Sequence, residues 1–165
     1  MIPKPVKRVR APKPLKRSGS LRRSKRPRRA SKNRVPTLER KLWKLFAAYV
    51  KARDGDACIS CPAVGLVGKN WQAGHMIPSD GRPSVRYDPK NVHSQCGHCN
   101  CWLGGNGAVY ALEVINRYGI EEFNRLHAKA KEFRQWRAPE LEELIAALKV
   151  GGAEYEMLYA EKYGL

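Results

Sequence analysis

The sequence predicts an α+β protein: a short, irregular β region held between an N-terminal helix and several C-terminal helices, with a disordered basic arm in front. Three observations predict it. Apolar residues recur at helical spacing on both sides of the middle of the chain. The middle itself, residues 62–95, is rich in Gly, Pro, Asp and Asn. Two C-x-x-C pairs bracket that middle.

The arm comes first. The 165 residues carry 32 Lys and Arg against 15 Asp and Glu, a formal charge of +17, and 15 of the basic residues lie in residues 1–34 with no acid among them. The other 131 residues hold 17 basic and 15 acidic groups. Residues 1–36 therefore read as an arm with too little apolar surface to offset the entropy of ordering, and Pro3, Pro5, Pro12, Pro14 and Pro27 remove backbone donors from it. Lys4, Lys7, Arg8, Arg10, Arg22, Arg23, Lys25, Arg26, Arg28 and Arg29 are its candidate DNA contacts, through phosphates and counterion release. A solubilising tail is the alternative. No aromatic residue precedes Trp43 to enter a membrane surface, and no run approaches the ~20 apolar residues of a span. Neither a membrane partner nor export is expected, which places the protein in the cytoplasm with reduced thiols.

Residues 37–165 form the predicted domain. Thr37 is its expected helix N-cap, and Leu38, Leu42, Leu45, Phe46, Tyr49 and Val50 mark a helix to about Arg53. Candidate strands follow around Trp71–Met76 and Asn91–Gln95. Val109, Leu112, Ile115 and Tyr118 make one later apolar stripe, and Ile120, Phe123, Leu126, Ala130 and Phe133 another. A further helix opens with Pro139 at its first position, buries Leu141, Leu144, Ile145 and Leu148, and stops at Gly151-Gly152 before a last short helix. These helices supply a core or a homodimer face; the pattern allows both.

Cys58, Cys61, Cys96 and Cys99 make two knuckles 34 residues apart. Two-residue spacing lets both thiolates of a pair meet one ion, and two pairs close a tetrahedral sulfur shell suited to Zn²⁺, structural because no position stays open. A shell of three cysteines and His98 is the alternative, and Cys101 is left over as a spare thiol. Any chemistry must then come from other groups. His75 lies between the knuckles, Asn91 begins "NVHSQC", and Asn100 directly follows the last cysteine.

"YVKARDGDACISC", "AGH", "NVHSQCGHCN" and "GGN" together resemble the NinG, or Rap, family of phage recombination endonucleases, a branch of the HNH, or ββα-metal, nucleases. The match covers roughly residues 46–120. The resemblance implies a zinc-stapled, HNH-like ββα-metal core with a metal-dependent endodeoxyribonuclease activity on branched DNA such as D-loops and Holliday junctions. It implies His75 as general base, Asn91 as the central Asn that fixes the loop or the base, and Asn100 as an oxygen ligand of a catalytic Mg²⁺ or Mn²⁺. His93 is a further candidate for that metal or for phosphate, with strand packing as its alternative, and Asn106 is a candidate ligand or a turn residue. His127 reads as packing. Phage or host recombination proteins are the partners the family suggests besides DNA. One departure stands out: many HNH enzymes place Asp or His just before the base, and this chain has Gly74, leaving Asp80, Asp88 and Glu113 as the nearby acids. A zinc-stapled DNA-binding protein without catalysis, and an HNH nicking enzyme without branch preference, are the competing expectations.

Overall fold

The computed structural model describes residues 34–164; residues 1–33 of the arm, with its ten candidate DNA contacts, lie outside the described residues, while its last three, Arg34 to Pro36, are helical rather than disordered. In chain order the elements are α1 (Arg34–Asp54), β1 (Trp71–His75), β2 (Val92–Cys96), α2 (Gly107–Tyr118), α3 (Ile120–Lys129), α4 (Ala138–Val150) and α5 (Gly152–Tyr163), with a short π-helical turn, His98–Trp102, after β2.

Helix α1 begins three residues before the expected cap at Thr37. Pro36 falls in the first turn, where a missing N–H breaks no helical bond, and Arg34 is anchored on Glu142 of α4 at 2.5 Å. Leu42, Phe46 and Val50 recur every four residues and are fully buried. They pack with Leu141, Leu144 and Ile145 of α4 and with Tyr155 and Tyr159 of α5. Gly152 lets α5 approach: a Cβ there would stand 2.4 Å from the Tyr49 ring. At the start of α4, Pro139 is the second rather than the first helical residue, and the Glu140 carboxylate accepts the Arg137 N–H at 2.7 Å.

β1 and β2 form one antiparallel pair in the register Trp71↔Cys96 to His75↔Val92, both strands within a residue of expectation. Alternation puts Gln72, Gly74, His93 and Gln95 on one face. Trp71, Ala73, His75, Val92, Ser94 and Cys96 take the other, where Ala73 and Val92 join the α1 core.

The C-terminal helices grip the loop between the strands. Trp136 donates to Pro83 O at 2.9 Å, Tyr159 OH to Ser84 O at 3.2 Å, and Tyr155 OH to Tyr87 O at 2.6 Å. Leu141, Leu144 and Ile145 of α4 and Tyr155 and Tyr159 of α5 belong to this core, which pins the backbone on either side of Arg86.

The stripe expected on α2 is displaced. Tyr110 and Val114 are its buried residues, while Val109 and Leu112 are exposed. A spacing of four, not three, faces the core here, and the polar end of Tyr110 makes it a core residue with a specific partner, described below. On α3 the core residue is Leu126; Ile120 is exposed, and Phe133 lies beyond the helix in solvent. Among the described residues no helix is long and apolar enough to cross a membrane.

Candidate functional site

The cysteine region has almost no apolar core of its own: Leu66 is the one buried residue that joins the thiols there. What gathers there is a thiol cluster that could hold a metal. The Sγ atoms of Cys58, Cys61, Cys96 and Cys99 all lie within 4.8 Å of one another, and Cys61 and Cys96 stand 3.8 Å apart. Four sulfurs about 2.3 Å from one zinc ion in a tetrahedron are about 3.8 Å apart, so the donor set fits. Backbone N–H groups already point at the sulfurs, Ser60 N to Cys58 at 3.4 Å and Cys99 N to Cys96 at 3.3 Å. Burial, and then the neighbouring thiols Cys61 and Cys96, push the Cys99 thiol up, which a metal cation would reverse. Cys101 and His98 are exposed and outside the cluster.

His75 ends β1. Its Nε2 lies 3.0 Å from Arg86 O, and a carbonyl only accepts, so Nε2 carries the proton and the neutral ring keeps its lone pair on Nδ1. The indole of Trp43 stacks on the ring. Burial holds the His75 pKa below its ordinary value; the Arg86 carbonyl opposes that and the Arg86 charge adds to it. His75 lines an open cleft of about 310 Å³ with Asn100, Asp80, Gly104 and Gly105.

Asn100 is oriented by a chain of amides. Gln72 Nε2 donates to Lys69 O at 2.9 Å, which leaves Gln72 Oε1 to accept from Asn100 Nδ2 at 2.7 Å. The Asn100 carbonyl oxygen is thereby turned toward Gly74, 2.9 Å from where a Cβ on that glycine would stand. Position 74 and Asn100 thus share one face of the hairpin, and the His75 side chain leaves from the other.

Asn91 takes the loop-fixing place expected of it, away from the cleft, and His93 takes its packing alternative. Asn91 is fully buried and lies outside the cleft. Its Oδ1 accepts from Ile77 N at 2.8 Å, and its Nδ2 donates to Ile77 O and Val85 O at 3.0 Å each. Its hydrogen bonds clamp the loop between the strands, so it positions rather than touches a substrate. His93 is fully buried between two tyrosines. Tyr110 OH spends its proton on Gly74 O at 2.8 Å, so His93 Nδ1–H donates to Tyr110 at 3.1 Å and Nε2 accepts from Tyr118 OH at 2.9 Å. Burial drives the His93 pKa down to about 3 against the pull of Asp54. A ring so engaged is not free to hold a metal, and packing was the correct alternative.

Asn106 caps α2 in the left-handed conformation at φ 51 and donates to Ser60 O at 2.8 Å and toward Cys99 Sγ at 3.9 Å. It is a turn residue that braces the knuckles and lies outside the cleft. Of the three acids, Asp80 lines the cleft, Glu113 does not, and Asp88 is taken by Arg125 and Lys129 at 3.1 and 3.0 Å.

Gln95 was missed. It is fully buried, and its Nε2 donates to Ser60 Oγ at 2.7 Å and to Gly105 O at 2.6 Å. The available signal was a polar residue at a strand position facing the same side as Gly74.

The chain matches the family described as "Bacteriophage Lambda NinG protein" over residues 4–154. It is 36% identical over 94 residues to the Protein ninG of Escherichia phage 933W, covering 56% of this chain and 45% of that protein. With the Protein ninG of Escherichia phage lambda it shares 34% identity over 88 residues, 53% of this chain and 42% of that protein. The chain thus spans less than half the length of the curated relatives it matches. No solved structure matches it. With a family match that takes in both cysteine pairs, His75 and Asn100, the chain belongs to the NinG family.

Proposed function

We propose that the protein is a metal-dependent endodeoxyribonuclease of the HNH type that cuts branched recombination intermediates, D-loops and Holliday junctions among them. The observation that carries the proposal is the pairing of a neutral, oriented imidazole with an oriented carbonyl oxygen at one cleft. His75 is held by Nε2–H on Arg86 O with Nδ1 unprotonated, and Asn100 turns Oδ1 toward Gly74. His75 Nδ1 then accepts a proton from the attacking water. Asn100 Oδ1 would help hold a Mg²⁺ or Mn²⁺ ion, which would supply charge neutralisation at the scissile phosphate and the leaving oxygen. The four-cysteine zinc site takes no part in bond cleavage and fixes the ends of the hairpin. The preference for branches comes from the family resemblance, as do phage or host recombination proteins as partners in the bacterial cytoplasm. Paired cuts across a junction suit a homodimer.

A DNA-binding protein without catalysis is the second reading, favoured by Gly74, where a side-chain carboxylate is missing. One assay separates them. The zinc-loaded protein is incubated with Mg²⁺ and a labelled four-way junction, D-loop and linear duplex. Cutting of the branched substrates that His75→Ala abolishes is expected. Binding without cutting under any divalent metal favours the second reading, and equal cutting of all three substrates indicates a nicking enzyme without branch preference.

A further inference from the structure

Gln95 leaves one atom unexplained. Both hydrogens of its Nε2 are used, on Ser60 Oγ and on Gly105 O. The Gly105 carbonyl only accepts, so the amide cannot be turned round. Among the described residues its Oε1 is therefore buried with no donor. That oxygen lies 2.0 Å from where a Cβ on Gly74 would stand, and Asn100 Oδ1 lies 2.9 Å from the same point. Asn100 is equally fixed, because its Nδ2 is committed to Gln72 Oε1. Two carbonyl oxygens thus converge over Gly74 with no donor between them. Their dipoles repel, and a buried acceptor without a partner is destabilising. A positive partner removes both penalties.

The geometry points to Gln95 Oε1 and Asn100 Oδ1 as paired protein ligands of a hard divalent cation, with Gln95 filling the place of the side chain absent at Gly74. Amide oxygens are suitable ligands for Mg²⁺ or Mn²⁺, and such ions keep several positions for water and phosphate oxygens. Two neutral ligands leave the charge of the ion to be met by the DNA phosphate, and by Asp80, the acid that lines the cleft. Gly74 is then a requirement rather than a loss. Any Cβ there would collide with Gln95 Oε1, so the chain holds either a side chain at 74 or Gln95 in its present position. The purpose of this site rests on the nuclease reading; the binding itself is measurable without cleavage.

The experiment uses the full-length, zinc-loaded protein with ¹⁵N-labelled side-chain amides, titrated with Mn²⁺ and followed by NMR. The Gln95 and Asn100 amide signals broaden first, at substoichiometric Mn²⁺. Mn²⁺ affinity falls about tenfold or more in Gln95→Ala. It returns in Gln95→Ala combined with Gly74→Asp, which a merely structural role for Gln95 does not explain. Zinc content and thermal unfolding are measured on each variant, and the wild-type titration stands by itself if a variant fails to fold. Gln95 signals untouched by Mn²⁺, as when a water donates to both oxygens, overturn the assignment. Unchanged affinity in Gln95→Ala does the same. Wild-type protein that binds Mn²⁺ at this pair but cuts no DNA overturns the nuclease reading and leaves the cation site standing.

Discussion

The indole of Trp43 lies flat against the imidazole of His75, the ring centroids 5.0 Å apart and the planes inclined by 11°. One helix of the surrounding shell thereby sets both the orientation and the desolvation of the candidate base. Stacked aromatic pairs contribute about 0.5–1.5 kcal/mol beyond their buried area. Trp43→Ala is expected to slow junction cleavage by up to about tenfold at pH 7.5, while Trp43→Phe keeps most of the rate.

The pH profile follows from the same burial. The base must be neutral, and His75 titrates below its ordinary 6.5. The acid limb of kcat/KM on a junction substrate should therefore lie below pH 6.5, with a plateau above it. Trp43→Ala readmits water to the ring and should move that limb upward. A limb above pH 7 in the wild-type protein contradicts the assigned base.

Acid should also unfold the protein through His93. Its folded pKa of about 3 lies below the unfolded value of 6.5, so the unfolded chain takes up the proton first. The His93 contribution to stability is complete above about pH 6.5 and is lost progressively as the pH falls toward 3. Urea unfolding at pH 7.5, 6 and 5 should show this slope, and His93→Gln should flatten it.

Asp88 and Lys129 form an ion pair whose side chains are 2% and 6% exposed, with Arg125 as the second cation on Asp88. Removing one partner of such a pair typically costs about 3–5 kcal/mol, because the other charge stays buried. Lys129→Met should destabilise by less than that in denaturant titrations, because Arg125 still neutralises Asp88. The double variant Asp88→Asn, Lys129→Met should be less damaging than the sum of the two single changes.

Metal analysis of protein prepared under reducing conditions should find about one zinc per chain, unchanged in Cys101→Ser and lost in Cys96→Ser. Strong chelation should loosen the cysteine end of the hairpin, around Trp71 and Cys96, while α1, α4 and α5 keep their helicity, since their core contains no cysteine. Helicity that collapses together with zinc loss would show one cooperative unit instead.

Much of this was legible in the sequence because its signals are local. Two-residue cysteine spacing defines a knuckle wherever it occurs, and both strands and the α4 stop at Gly151 follow from neighbouring residues. The places of His75 between the knuckles and of Asn100 directly after the last cysteine were legible, and the structure puts both on one cleft. Gln95 was not, because its role depends on a glycine across the sheet. The burial of His93 and of Asn91 was not legible for a related reason. Their partners Tyr110, Tyr118, Ile77 and Val85 come from other segments, and burial of both side chains could not be seen from a motif. The α2 face was missed because Tyr110 is both a core residue and a hydrogen-bond donor, which an apolar stripe does not register.

The three bonds of Asn91 have a consequence for how the fold can change over time. They close the loop at Ile77 and Val85, so the segment between those two residues hangs from a locked neck. Residues inserted or removed around exposed Asp80, Gly81 and Arg82 leave the register of the hairpin and the seat of His75 alone. The mouth of the cleft can therefore be remodelled by lengthening one loop while His75, Asn100 and the hairpin that carries them remain as they are.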